Sequence, residues 1–186
     1  LESAGPGRLR ALRMRAAGYF AEREAIEDAV WLYLDAGAAR QAAALAEKHA
    51  LGMYRAGRVK TLEEWANRLQ TAGTDSPRAA LYLSMSYSDQ GRLDQAQAAL
   101  DRMREEPGGD WPAGVAARAE IQQGWIHLLR SQFAQALSSA DRAEALMRQG
   151  VDRRDRGRLM RLKAWGICTG GGALEEAERL AQGVVK

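Results

Sequence analysis

Cysteine, histidine and proline are scarce in this chain, and each shortage excludes something. One cysteine, Cys168, cannot form an intrachain disulfide and fits a reducing compartment, so a cytoplasmic location is expected. Two histidines, His49 and His127, stand far from Cys168 at no zinc-like spacing, so no metal is expected. No Ser-His-Asp or Cys-His arrangement is suggested either. A phosphate loop is lacking: Gly170-Gly171-Gly172 has no Lys-Ser or Lys-Thr behind it and reads as a helix stop. No cofactor and no enzymatic activity are expected. No apolar run reaches the roughly 18 residues of a membrane helix, and no signal-peptide pattern opens the chain, so no membrane partner is expected. Charge of one sign is also lacking. The 27 basic and 24 acidic residues leave a net charge of +3, less than a committed nucleic-acid binder concentrates on one face.

Strand-type runs of Val, Ile, Thr and Tyr are missing, and the sequence is dominated by the helix formers Ala, Leu, Arg, Gln and Glu. An all-α fold follows. Glycines and prolines punctuate the chain into about ten helices. They are expected at 7–23, 24–36, 38–56, 59–72, from Asp75-Ser76-Pro77 to Gly91, then at 92–106, 111–130, 131–149, 152–169 and 173–185.

Three segments share one pattern. In the first, the small Ser84 precedes Tyr87 by three, Gly91 follows four later, then Leu93 and Ala96. Gly124, His127, Ser131, Phe133 and Ala136 stand at the same offsets. Cys168, Gly172, Leu174 and Ala177 repeat it again, with Gly166 one position late as the small residue. Ala96, Ala136 and Ala177 lie 40 and 41 residues apart. Two antiparallel helices approach closely only where side chains are small, and one such hairpin cannot bury its apolar faces alone, so neighbours must stack. These are the signature positions of the tetratricopeptide repeat, lengthened from roughly 34 residues by loops at 105–110 and 149–156. The expected architecture is a right-handed superhelix of antiparallel helix pairs. It forms one repeat domain over 1–186, with looser hairpins at 7–72 and three clearer ones at 75–186. The segment 1–7 reads as the cut end of a longer polypeptide.

The first helix of each pair would line the inner surface. Arg78, Leu81, Met85 and Asp89 would face it from one repeat, and Arg118, Ile121, Trp125 and Leu129 from the next, forming a groove for a ligand or an extended peptide. Trp31, Trp65 and Trp165 sit at helical spacing with other apolar residues and are assigned to core packing, and Trp111 to a staple at a helix start. His49 and His127 are assigned structural roles. Cys168, matched to Tyr87 and His127, reads as a buried, inert thiol. Arg153, Arg154, Arg156 and Arg158 form a candidate basic contact patch. Basic charge at a helix start opposes the dipole, which hints at a further use for Arg153 and Arg154.

The order of pieces is itself informative. Arg13-Met14-Arg15-Ala16-Ala17-Gly18-Tyr19-Phe20 is followed by Ile26-Glu27-Asp28-Ala29-Val30, then Asp35-Ala36-Gly37, the Ala42–Ala46 run with Glu47-Lys48-His49, Arg55-Ala56-Gly57-Arg58 and Leu62-Glu63-Glu64-Trp65. This succession resembles the helical-repeat region of MalT-type activators, the large LuxR-like signal-transduction ATPases, over most of the chain. The resemblance implies a regulatory arm beyond an ATPase module. Such an arm receives a small-molecule inducer or a protein partner, contacts other domains of its chain and controls self-association. The DNA-binding helix-turn-helix would lie outside this segment, so no direct nucleic-acid contact is expected. The alternative is a stand-alone repeat adaptor that holds a peptide or protein.

Overall fold

The computed structural model describes residues 5–104, 111–147, 153–172 and 174–183. Among the described residues lie ten α-helices: α1 (Pro6–Glu22), α2 (Ile26–Asp35), α3 (Ala39–Arg55), α4 (Val59–Thr71), α5 (Pro77–Asp89), α6 (Leu93–Arg104), α7 (Ala113–Leu129), α8 (Phe133–Met147), α9 (Arg153–Thr169) and α10 (Leu174–Gly183). There is no strand among the described residues. The chain is all-α with the expected number of helices, and no helix is long and apolar enough to cross a membrane among the described residues. The loop expected at 105–110 lies outside the described residues, as do 148–152. Residues 153–156, expected in a loop, belong to the first turn of α9.

One device ends most of the helices. Among the described residues, a residue with positive φ follows the last turn seven times: Glu24, Gly37, Gly57, Gly73, Gly91, Ser131 and Gly171. Each time the next N–H reaches back five residues, as Arg92 does to the Tyr87 carbonyl (2.9 Å) and Gln132 to that of His127 (2.8 Å). This is the Schellman closure, which satisfies otherwise orphaned carbonyls and reverses the chain. Gly91 accepts the left-handed conformation without steric cost, whereas Ser131 (φ 59°) carries a Cβ into it.

The helices cluster into two compact units, Leu1–Ser86 and Tyr87–Lys186, divided within α5. In the first unit α2 packs against α1, α3 and α4, and α3 against α4. The core there is built largely of alanine (Ala17, Ala29, Ala42, Ala46, Ala50), with Val30, Leu62, Leu69 and the fully buried Trp65 filling the remaining volume. Polar locks join its helices. Glu27 on α2 accepts from Arg58 Nε (3.0 Å) and the Thr61 hydroxyl (2.9 Å) at the start of α4. Glu47 on α3 accepts from the Ser76 hydroxyl (2.8 Å) and the Arg78 backbone N–H (2.8 Å) at the start of α5. Both carboxylates sit at helix N-termini, where the dipole favours negative charge.

In the second unit α7 packs against α6, α8 and α9, α8 against α9, and α9 against α10. Small residues let neighbouring helices close up. At Gly124 a Cβ would lie 2.4 Å from Leu162 Cδ2 and 3.2 Å from the Ala136 carbonyl oxygen. Gly166 gives α9 the same closeness to Leu137 of α8.

The turns differ in a way that stability measurements resolve. Gly91→Ala is expected to cost about 1 kcal/mol and Ser131→Gly to add roughly 0.5–1 kcal/mol. Urea midpoints of the two variants should therefore move in opposite directions from that of the parent chain.

Candidate functional site

The groove read from the sequence divides in the structure. Leu81, Met85 and Ile121 are buried, at 0, 2 and 2% exposure, so they are core residues and not an open lining. Ile121 belongs to a cluster with Leu128, Ala136, Ala140, Ala143, Leu159 and Leu162, because α9 covers that side of α7. Arg78 is paired with Glu47 (3.3 Å). Arg118 is paired with Asp155 of α9 (2.7 Å), whose carboxylate side chain is only 6% exposed. Asp89 is exposed. Trp125 packs half-buried against the cluster, and Leu129 stands 48% exposed.

Trp165 was expected in the core. It is instead 58% exposed and meets Trp125 edge to face, with ring centroids 6.0 Å apart. Cys168, expected to be buried, is exposed. A single displacement explains both corrections. Of the three glycines 170–172, Gly171 takes the positive φ (79°), where the sequence pattern had matched Gly172 to Gly91. Counting back from Gly171, Ile167 and not Cys168 corresponds to Tyr87 and His127. The buried Ala164 corresponds to Ser84 and Gly124, and Trp165 to Met85 and Trp125. In the same register Arg158, Arg161 and Thr169 correspond to the groove positions Arg118, Ile121 and Leu129. The three-glycine run hid this third set.

The basic patch is likewise redistributed. The side chain of Arg153 lies outside the described residues. Arg154, Arg158, Arg161 and Trp165 are spaced four, three and four apart, so they rise one above another on one face of α9. Arg154 and Arg161 are exposed and Arg158 is half-buried. Arg156 turns to the other side of the helix. That side also holds Lys163, which bonds Asp141 (2.8 Å) and Glu144 (2.9 Å) of α8. Burial opposes the Lys163 charge, but these two carboxylates outweigh it and raise its pKa. The candidate site is therefore the face formed by Trp125 and Leu129 of α7 with Arg154, Arg158, Arg161 and Trp165 of α9.

A polar ladder stands behind α7. Buried Gln123 donates to Gln97 (2.9 Å) on α6 and accepts from Arg104 (2.8 Å), which also bonds Glu120 (3.0 Å). His127 lies 2.6 Å by Nδ1 from the Gln132 amide oxygen and 3.2 Å by Nε2 from Gln123. A carbonyl oxygen only accepts, so Nδ1 carries the hydrogen. The place of Tyr87 is thus filled by a hydrogen-bonded polar ring. In the first unit, a cleft of about 340 Å³ is lined by Trp31, Glu64, Asn67 and Arg68. Arg68 lies 5.2 Å from the Trp31 ring centroid and pairs with Asp35. Trp31 is half-buried beside this cleft, while Trp65 is a core residue as expected. Among the described residues no group of three His, Cys, Asp or Glu side chains is placed to hold a metal ion.

No family model matches the chain, and neither a curated protein nor a solved structure matches it.

Two predictions follow from the charges. Arg118→Ala leaves the Asp155 carboxylate unpaired in the α7–α9 seam. A fully buried pair broken in this way loses roughly 3–5 kcal/mol, and the partial exposure of Arg118 reduces the expected loss to about 2 kcal/mol. Chemical denaturation of Arg118→Ala, Asp155→Ala and the double variant measures it, and the double variant should cost less than the sum. His49 has its pKa lowered by burial and by Lys48, against an opposing Glu24. A base with a lowered folded pKa binds fewer protons folded than unfolded, so stability falls as pH drops below the ordinary histidine value of 6.5. Thermal midpoints across that range should fall more in the parent chain than in His49→Gln.

Proposed function

We propose that this chain is a helical-repeat regulatory arm of the kind MalT-type activators carry. It binds a protein partner or a small-molecule inducer through the α7–α9 face, mediates self-association, and catalyses nothing itself. The observation that carries the reading is the exposed Trp165, which meets Trp125 at 6.0 Å, with the exposed Leu129 one turn beyond Trp125 on α7. Isolated apolar side chains at a surface need no explanation, but an exposed indole at the end of an arginine stripe has the composition of a binding hot spot. Support for the repeat character comes from the turn register, which places Arg118 and Trp125 of α7 and Arg158 and Trp165 of α9 at equivalent positions. The cytoplasmic location expected from cysteine usage is part of the same proposal.

The stand-alone adaptor differs from the regulatory arm only in what lies beside the segment. A phosphate-loop ATPase or a helix-turn-helix encoded in the same gene assigns the arm. The binding face is tested by capture from a bacterial lysate with the parent chain, Trp165→Ala and, as a control on the other unit, Trp31→Ala. Loss of a hot-spot Trp is expected to lower capture at least about tenfold, with Trp31→Ala unaffected. Equal capture by Trp165→Ala and the parent would remove the face from the proposal.

A further inference from the structure

The way α9 docks on α7 describes what would dock on α9. Asp155, in the first turn of α9, takes Arg118 at 2.7 Å. Ten residues later Trp165 meets Trp125 edge to face. The receiving groups on α7 are an Arg and a Trp seven residues apart, two turns along one face. Arg158 and Trp165 repeat that pair on α9 with the same separation and at the same distances from their turn. A guanidinium carries five N–H donors in a fork that matches a carboxylate, so Arg158 can take a carboxylate alongside its other contacts. Arg154 and Arg161 are exposed on either side of it and extend the positive charge along the stripe.

Resting on the binding face described above, we propose that the outer face of α9 receives an amphipathic helix of a protein partner. That helix carries an acidic residue about ten positions before an aromatic one, and further acidic residues beside them. It engages α9 as α9 engages α7: carboxylate on Arg158, aromatic edge on Trp165, and negative charge along Arg154 and Arg161. A nucleic-acid strand also presents negative charge and flat rings. It is the poorer fit, because the chain as a whole carries a net charge of only +3.

The test uses the full chain and a labelled 17-residue peptide with the 153–169 sequence. The peptide bears Arg154→Glu, Arg156→Glu, Arg158→Glu, Arg161→Glu and Cys168→Ser, and keeps the aspartate and tryptophan of the α9 lock. Fluorescence anisotropy should show binding that weakens with salt. Binding should also fall at least about tenfold when the chain carries Trp165→Ala or Arg158→Glu, or when the peptide carries Asp155→Lys. Trp165 is exposed and Arg161→Glu provides a second surface variant, so a loss of binding is separable from a loss of fold by circular dichroism. Equal binding of the Asp155→Lys peptide, or an unaffected Arg158→Glu chain, overturns the proposal. So does tighter binding of a 12-nucleotide oligouridine, or a chain dimer that Trp165→Ala dissolves. If the peptide does not bind but Trp165→Ala still lowers lysate capture, the acidic-helix inference falls and the binding face stands. If neither responds, both fall.

Discussion

Close approach of helices is the constraint on which this structure depends. A chain with 6% aromatic residues cannot fill wide gaps between helices, so its helices must come near enough for alanine and glycine to suffice. The core of the first unit is mostly Ala, with one large ring, Trp65, fully enclosed. In the second unit Leu162 occupies the space where a Gly124 side chain would stand. Dispersion contacts are lost steeply with distance, so a helix held about 1 Å further away would forfeit up to roughly half of what these contacts contribute. Close approach in turn requires tight reversal of the chain, which the repeated Schellman closure provides.

Packing of this kind is weakly directional, because one alanine face resembles another. The register is fixed by charged and amide groups reaching between helices. Glu27 to Arg58 and Thr61, Glu47 to Ser76 and Arg78, Arg118 to Asp155, and Lys163 to Asp141 and Glu144 each join one helix to a particular turn of another. Sliding a helix by one residue would separate every such pair and leave partly buried charges without partners, which is a larger penalty than the alanine contacts impose. The Gln97–Gln123–His127–Gln132 ladder does the same for α6, α7 and the turn into α8.

The helices and most of their ends were legible in the sequence because their causes are local. A glycine at the end of an Ala- and Leu-rich run marks a stop whatever surrounds it. Glu24 and Ser131 show the limit, since each adopts the same positive-φ turn without being glycine. Ser131 was still recovered, because its repeat spacing from Gly91 gave it away. The polar locks were not legible. Their partners stand some 19 to 37 residues apart, with no local pattern to connect them. Burial of Leu81, Met85 and Ile121 was missed for a related reason. An apolar residue on a helix looks the same in sequence whether the neighbouring element covers it or leaves it open.

The candidate site was obscured by one residue of slippage. Three successive glycines offer three places for a left-handed turn, and a pattern that prefers the last of them shifts the first helix of the third repeat, while Ala177 in the second is buried like Ala96 and Ala136. Tryptophan then falls on a core position and cysteine on an interior one. Hydrogen bonding decides the matter: the Gly172 N–H reaches the Ile167 carbonyl at 2.9 Å, which makes Gly171 the turn residue and counts Trp165 into the column of Trp125. Trp125 is covered on its outer edge by Trp165, whereas Trp165 is left with more than half of its surface open. The same side chain at the same step is thus a packing residue in one repeat and an exposed one in the next. What separates the two roles is the helix laid upon the first, and the chemistry of that helix defines the surface that the second presents.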